Sequence, residues 1–263
     1  RNKSMDKLVY TSLSGAKTGT IQRTMLTNDL ANVSTVGFKR ASFQRAIPAQ
    51  LDGPGFGVRF QPLVENRTDI VDLKPGTRID TGNPLDVAFN GQTVLGVVAE
   101  QGEIAFTRRG DLRISELGFL ETANGYLVAG EGGGPITVPE GGGATITPDG
   151  TVFFNAAVAD PAAAAAPPVE IGQILIRDAS GTTLQRRLDG LYEQLGANGA
   201  GGDIAPGPEA ASLSTGSLEG SNVNPVEVLV SLMDYYRSFE TQMKLVKSAE
   251  ELDQTGTRLM QTS

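Results

Sequence analysis

Apolar side chains recur at helical spacing near both ends of the chain and at the spacing of β-strands between them. Residues 5 to about 33 contain no proline, which predicts one long N-terminal helix. One face of this helix carries Met5, Leu8, Val9, Leu13, Ala16, Leu26, Leu30 and Val33. In the middle of the helix this apolar face is interrupted, because small residues such as Gly15 and Gly19 stand where a globular helix would place larger apolar groups.

A second helix is predicted near the C-terminus, from Pro225 to Met260. Asn224 is suited to the N-cap, Pro225 to the first helical position, and Glu227 to a capping-box carboxylate that reaches back. Spacings of three and four then form a heptad seam of Leu229, Leu232, Tyr236, Phe239, Met243 and Val246. After this seam the phase slips by three residues, and Leu252 and Leu259 continue on a second line.

Between the helices, glycine and proline recur every few residues and separate short β-rich runs. Asn90-Gly91, Asn124-Gly125 and Asp149-Gly150 are turn pairs typical of hairpins. This pattern predicts an all-β sandwich or barrel. The predicted strands are Val94–Ala99, Ile104–Thr107, Leu112–Ser115, Tyr126–Val128, Ile136–Val138, Thr145–Ile146, Thr151–Phe154 and Gln173–Ile176. The Ala-, Gly- and Pro-rich stretches 160–168 and 196–210 are predicted to be loops.

The order of elements predicts a mixed, mainly β fold, with a β-rich central domain between two long terminal helices. The predicted parts are an N-terminal helix at 1–35, an extended linker at 36–85, an all-β outer domain at 86–215 and a C-terminal helix at 216–263. Neither helix can bury its seam in the β body without folding back along it. We therefore expect the helices to pair with each other and with other chains in a coiled-coil assembly domain, with a closed two-helix hairpin in one monomer as the alternative.

Composition narrows the chemistry. The 263 residues include no cysteine, histidine or tryptophan, which excludes disulfides, Cys/His metal sites and nucleophile systems that need a histidine base. The formal charge of −8 argues against a nucleic-acid partner. No run of 18 apolar residues is present, and the N-terminal stretch lacks the apolar core of a conventional signal peptide.

No candidate catalytic, metal or cofactor site emerges from the remaining residue types, so neither an enzyme nor a bound cofactor is expected. Carboxylates such as Asp86, Glu103 and Glu121 are scattered over predicted turns and strands rather than paired. The pair Arg108-Arg109 is predicted to be a solvated edge that discourages strand addition.

Several stretches of the chain, in order, resemble bacterial flagellar rod and hook proteins. The terminal motifs that carry the resemblance are LTNDLANVSTVGFKR at 26–40 and LEGSNVNPVEVLVSLMDYYRSFETQMKLV at 218–246, with GNPLDVAFNGQTVLGVV at 82–98 and FTRRGDLRISELGFLETANGYLVAGEGG at 106–133 between them. Within this family, MDKLVYTSLSGA at 5–16 and GEGGGPITVPEGG at 130–142 are most similar to proximal rod subunits, and distal rod subunits are the alternative.

The resemblance implies a structural subunit of the basal-body rod, the periplasmic drive shaft that transmits torque for motility. It implies assembly with copies of itself and with other rod proteins, export through the flagellar type III apparatus without a cleaved signal, and no nucleic-acid or small-molecule partner. The implied assembly interface comprises Leu8, Leu13, Leu26, Asn28, Leu30, Asn32, Val33, Leu229, Leu232, Tyr236, Phe239, Met243, Val246, Leu252 and Leu259.

The stretch after the N-terminal helix is predicted to fix the angle at which the chain leaves it. Gly37 releases the chain from helical geometry, and Phe38 anchors the departing segment. Asn28 and Asn32 either hydrogen-bond neighbouring helices or face solvent. Lys39-Arg40 is expected either to meet acidic surface on an adjacent subunit or to be a solvated basic pair.

Two rival functions remain open on the residues alone. One is a monomeric β domain that binds carbohydrate or peptide, with the helices as a stalk, although 15 Phe and Tyr residues without any Trp make an aromatic-lined groove a poor fit. The other is a glycosidase that uses two carboxylates.

Overall fold

The computed structural model describes residues 19–43, 49–53, 56–60, 69–156, 167–197 and 201–261. The chain forms two compact units. The terminal unit comprises Arg1–Ala31, Arg45–Arg67 and Asn224–Ser263, and the β unit comprises Asn32–Gln44 and Thr68–Val223. Among the described residues, no helix has both the length and the apolarity to cross a membrane.

The described residues form two helices and nineteen strands. Helix α1 covers residues 19–31, and helix α2 covers Pro225–Gln261. The strands are β1 Ala41–Phe43, β2 Ala49–Gly53, β3 Phe56–Phe60, β4 Asp69–Val71, β5 Arg78–Asp80, β6 Val87–Phe89, β7 Thr93–Val98, β8 Ile104–Thr107, β9 Leu112–Ile114, β10 Leu120–Thr122, β11 Leu127–Val128, β12 Gly142–Ile146, β13 Thr151–Ala156, β14 Val169–Gln173, β15 Ile176–Asp178, β16 Leu184–Arg186, β17 Tyr192–Gln194, β18 Leu213–Thr215 and β19 Ser217–Glu219.

The terminal unit contains α1, α2 and the antiparallel hairpin formed by β2 and β3. The fold is mainly β, as the sequence indicates, but the expectation of two long terminal helices paired as a coiled coil is wrong. In the described residues α1 has only 13 helical positions, whereas α2 has 37 residues, so most of α2 has no counterpart in α1. The heptad seam of α2 is also largely open to solvent: Leu229 and Tyr236 are 49% and 55% exposed.

A long antiparallel sheet forms the centre of the β unit. Its strands follow the order β1-β4-β16-β17-β8-β7-β11-β10-β9, and β15 also pairs with β7. The central strand β7 pairs with β8, β11 and β15, and its side chains are buried on both faces, because Leu95 and Val97 belong to one hydrophobic cluster and Val94 to another. Strands β12, β13 and β14 form a separate three-stranded sheet. In two further pairs, β18 with β6 and β19 with β5, a strand near the C-terminal end of the unit is hydrogen-bonded to a strand near its N-terminal end.

Turn chemistry explains several of the hairpins. Gly91, Gly125 and Gly150 all have positive φ angles of 54°, 89° and 88°, and each completes a turn pair predicted from the sequence. Strand β8 has the predicted bounds Ile104–Thr107. The predicted strand Ile136–Val138 forms isolated bridges instead, although both of its apolar residues are buried. Burial of Ile136 and Val138 in an irregular segment therefore produced a strand-like pattern.

Substitution of Gly110 tests the close approach between the segment that follows β8 and the start of β6. A Cβ atom at residue 110 would lie 1.7 Å from the Val87 carbonyl oxygen, so Gly110→Ala must displace backbone. We expect the free energy of unfolding to fall by about 2 kcal/mol or more in urea titrations. Gly143→Ala is the matched control, because a Cβ there meets no atom within 4 Å, and it should change stability by less than about 0.5 kcal/mol. Equal effects of the two substitutions would contradict this packing.

Candidate assembly surface and junction

Helix α2 begins with a well-formed cap. The Asn224 side-chain oxygen accepts hydrogen bonds from the backbone N–H groups of Val226 at 3.0 Å and Glu227 at 3.4 Å. The Asn224 carbonyl accepts the first helical bond, from Val228 N–H at 3.1 Å. Pro225 occupies the first helical position, where its missing N–H costs nothing. This geometry fixes the residue at which the helix starts, and hence the register of its faces.

The N-terminal half of α2 has one buried face and one exposed apolar face. Val228 and Leu232, four residues apart, are buried. A second, broad face, whose centre lies about a quarter to a third of a turn away, carries exposed apolar side chains along the helix. We call this face the α2 apolar stripe; it comprises Val226, Leu229, Val230, Met233, Tyr236 and Met243.

The predicted heptad seam falls across the boundary between these faces. Leu232 is only 8% exposed, whereas Leu229, Tyr236, Phe239 and Met243 are exposed. The side chains of Val246, Leu252 and Leu259 lie outside the described part of the structure. The role of the seam residues in assembly stays a prediction, and the exposed ones are the part of it that remains accessible.

Tyr235 is a packing residue of α2 that the sequence reasoning missed. Its ring stacks on Phe239 with centroids 6.1 Å apart and meets the edge of Tyr236 at 5.5 Å. A Cβ atom at Gly19 in α1 would lie 2.9 Å from the Tyr235 ring. Gly19 therefore makes room for an aromatic ring, and the small residues in the middle of the predicted N-terminal helix were the available signal.

The N-terminal candidates occupy varied environments. Leu8 and Leu13 lie outside the described residues. Leu26 is buried, Leu30, Asn32 and Val33 are half-buried, and Asn28 is exposed. The Thr35 hydroxyl donates to the Asn32 side-chain oxygen at 3.1 Å, so this asparagine helps to end the helix.

In the β unit, three segments that are distant in sequence meet around Glu219: residues 37–40, 72–76 and 219–222. We call this region the junction. The Glu219 side chain is 5% exposed, and its Oε1 atom accepts from Lys39 Nζ at 2.6 Å and from Gly76 N–H at 2.9 Å. Its Oε2 atom accepts from Arg108 Nε at 2.8 Å and lies 2.7 Å from Arg108 Nη2. Both carboxylate oxygens are thus fully engaged.

The two cations of this cluster have further partners. Lys39 Nζ donates to the Lys74 carbonyl at 2.8 Å, and the Arg108 guanidinium donates to the carbonyls of Gly91 and Phe89, also at 2.8 Å. The side chains of Lys39 and Arg108 are fully buried. Such hydrogen bonds are required because a buried charge without partners is severely destabilising.

Backbone contacts complete the junction. Gly37 N–H donates to the Glu219 carbonyl at 2.7 Å, and Asn222 N–H donates to the Phe38 carbonyl at 3.3 Å. Gly37 has a φ of 67°, and a Cβ there would lie 2.3 Å from the Arg108 carbonyl oxygen, so both conformation and space demand glycine. The Phe38 ring packs under the Arg186 guanidinium, 4.6 Å from the ring centroid.

Two predictions from the sequence are wrong here. Arg108 is not part of a solvated edge, because its guanidinium is buried against Glu219. Lys39 is neither solvated nor available to an adjacent subunit, because its ammonium is enclosed by Glu219 and the Lys74 carbonyl. The signal was present in the motifs GFKR, FTRRG and LEGSN, but single sequence stretches do not reveal that their charges meet.

Burial changes the acidity of Lys39. Desolvation, assisted by the nearby Arg108 charge, lowers the pKa of Lys39 from 10.5 to about 8, although its bond to Glu219 acts in the opposite direction. The protonation of Lys39 in the folded chain therefore changes near pH 8.

A groove of about 660 Å³ opens in the β unit where the chain after β4 separates from the segment before β16. Its lining mixes apolar groups such as Ile70 and Leu73 with Asp72, Glu209 and several hydroxyl groups, and it contains no aromatic side chain. The described residues include no cluster of side chains that could hold a metal ion. The groove thus offers no aromatic stacking platform for a sugar.

Comparison with known proteins assigns the family. Residues 214–259 match the family described as flagellar basal body rod FlgEFG protein C-terminal, and residues 88–154 match the flagellar hook protein FlgE/F/G D1 domain. The flagellar basal-body rod protein FlgF of Salmonella typhimurium is 35% identical over 98% of this chain and 100% of the relative. This chain belongs to the flagellar basal-body rod protein family. The FlgF protein of Escherichia coli is 33% identical over 94% of the chain and 95% of the relative, and FlgG of Caulobacter vibrioides is 28% identical over 95% of the chain and 97% of the relative.

Membership in this family establishes what kind of protein this is. A flagellar rod protein is a structural subunit and not an enzyme. The two matched regions also contain the features described above: the first includes Glu219, the cap and the α2 apolar stripe, and the second includes Arg108 and the centre of the large sheet.

The lowered pKa of Lys39 predicts an unusual pH dependence of stability. The unfolded chain keeps the Lys39 proton up to about pH 10.5, whereas the folded rod protein releases it near pH 8, so the unfolded state binds more protons between these values. The contribution of Lys39 to the free energy of unfolding is fully present above pH 10.5 and is lost as the pH falls from there through about 8. Between these values the free energy of unfolding changes by at most ~1.4 kcal/mol per pH unit.

We expect the difference in unfolding free energy between the wild type and Lys39→Met to shift in favour of the wild type from pH 7 to pH 9.5, measured by urea titration. The range stops there because burial raises the pKa of Tyr192 to about 12, and that group lowers stability above its ordinary pKa of 10. A difference that is flat or shifts toward the variant would show that Lys39 keeps its ordinary pKa.

Proposed function

We propose that this rod protein is a subunit of the proximal rod, and that copies of it and other rod proteins contact one another through the α2 apolar stripe. The relatives named FlgF, at 35% and 33% identity, support the proximal position over the distal one, since the FlgG relative of Caulobacter vibrioides is 28% identical. On this proposal the rod crosses the periplasm as a shaft and transmits torque for motility.

The exposure of the α2 apolar stripe is the observation that carries the proposal. Met233 and Tyr236 are each 55% exposed, and Val226 is 67% exposed, on one side of a well-capped helix. Contiguous apolar surface of this kind marks protein contacts, because each Å² removed from water contributes about 25 cal/mol. A stripe along the helix axis, rather than a concave pocket, suits packing against another elongated element.

We further propose that successive parts of the chain have different structural roles. The terminal parts, 1–35 and 216–263, supply the assembly contacts, the part at 36–85 links them to the body, and the part at 86–215 forms the outer domain. The contacts include the N-terminal candidates Leu8, Leu13, Leu26 and Leu30 together with the exposed residues of α2. The absence of any described enzymatic constellation in the β body is compatible with a purely structural role.

We also propose that the chain reaches the rod through the flagellar type III export apparatus without a cleaved signal, and that it has no nucleic-acid or small-molecule partner. Its formal charge of −8 disfavours phosphate binding. The groove after β4, which has no aromatic lining, gives no support to a ligand-binding role.

The α2 apolar stripe is tested by adding charge to it. Met233→Asp with Tyr236→Asp should abolish incorporation into basal bodies and motility, because two carboxylates would be desolvated in the contact. The purified variant should keep the β-sheet circular dichroism and elution volume of the wild type, since both side chains are exposed.

Ser238→Asp with Thr241→Asp is the matched control, because it adds the same charge to exposed positions on a different side of α2 from Met233 and Tyr236. It should leave incorporation nearly unchanged. Normal motility of the stripe variant, or equal loss in both variants, would refute the assignment of this face.

The proximal position is tested by removing the gene from the bacterium that encodes it. A proximal subunit lies beneath the distal rod, so isolated basal bodies should then lack the distal rod and the hook. Basal bodies that keep a proximal rod and lack only its distal continuation would instead identify this protein as the distal subunit.

A further inference from the structure

The ion cluster around Glu219 links two segments of the β unit: the segment that follows α1 and the segment that precedes α2. Residues 37–40 follow α1 in sequence, and residues 219–222 precede α2. The cluster brings them side by side through Lys39 and Glu219, which are separated by 180 positions in the chain. Residues 72–76 pack against both, because the Lys74 carbonyl accepts from Lys39 Nζ at 2.8 Å and Gly76 N–H donates to Glu219 at 2.9 Å.

The charges of this cluster make it cooperative. Lys39 and Arg108 are both fully buried, and Glu219 is the acceptor that their charges share. If residues 219–222 detach, two like charges remain together in a buried site without their common counter-ion. If residues 37–40 detach instead, Glu219 loses its shortest contact and its carbonyl loses the Gly37 N–H. Partial opening is therefore disfavoured from either side.

We propose that Glu219 is a latch that makes the connection after α1 and the connection before α2 close and open as one unit. The cluster is a conformational device, because an apolar core at this point would let each connection detach separately. This inference is independent of the proposed function, since it concerns coupling within the β unit of a single chain.

Native-state hydrogen exchange of the full chain measures the latch directly. The reporting amides are those of Asp72, Gly220 and Asn222, which bond to Arg40, Thr77 and Phe38 and do not touch the Glu219 side chain. The reference amides are Gly96, Ala129 and Leu175, which bond one another across the large sheet. In the wild type the three reporting amides should share one opening free energy that is lower than that of the reference amides.

Glu219→Gln keeps the size of the side chain but removes its charge. We expect the protection of all three reporting amides to fall together by about 100-fold, because a buried pair loses its counter-ion, while the reference amides fall by much less. Loss confined to Gly37 and Gly76, which bond to Glu219 directly, would overturn the latch. An equal loss at the reporting and reference amides would overturn it as well, because it would show only a general loss of stability.

A charge-free variant keeps the test decisive if Glu219→Gln does not fold. Lys39→Met with Arg108→Met and Glu219→Met removes all three charges and should recover stability relative to Glu219→Gln. In this variant the reporting amides should no longer share one opening free energy, because nothing enforces joint closure. Joint opening that persists without the charges would overturn the proposal. Glu121→Gln, at the partly exposed ion pair with Arg113, is the matched control and should leave the reporting amides unchanged.

Discussion

The structure of the β unit depends on a carboxylate that is almost completely removed from water. Glu219 binds an ammonium, a guanidinium and a backbone amide, and each of these donors comes from a different part of the chain. A buried ion cluster contributes little net stability compared with apolar packing, because desolvation of the charges offsets their attraction. The cluster instead contributes structural specificity, because its donors reach Glu219 together in a single arrangement of these chain segments. Gly37 reinforces this, since only glycine fits between the Glu219 carbonyl and the Arg108 backbone.

The terminal unit shows the opposite distribution of polarity. Where the β unit buries charges, α2 leaves a line of apolar side chains in water. The cap at Asn224 fixes where α2 begins and therefore which side chains face outward. A defined helix start is needed if α2 is to present one apolar face in a fixed register.

The sequence predicted those features that depend on local pattern. The strand Ile104–Thr107, the hairpin glycines and the start of α2 follow from alternation, turn pairs and capping residues that are neighbours in the chain. The ion cluster could not be predicted in this way, because Lys39, Arg108 and Glu219 meet only after the sheet has formed. The partial exposure of the α2 seam was missed for a related reason. Helical periodicity shows that a face is apolar, but it does not show what packs against that face, as the contact between Gly19 and Tyr235 illustrates.

The two errors, on Arg108 and on the α2 seam, have different causes. Arg108 was expected in solvent because charged residues are seldom buried, but Glu219 supplies it with a buried partner within the same chain. The α2 seam was expected to pair with another helix, of the same chain or of another one, yet Leu229 and Tyr236 are left exposed by the described part of this chain. The buried charges are thus satisfied within one chain, whereas the exposed apolar side chains of α2 are not covered by its described residues. Contacts between rod subunits are therefore to be sought at α2 rather than at the ion cluster.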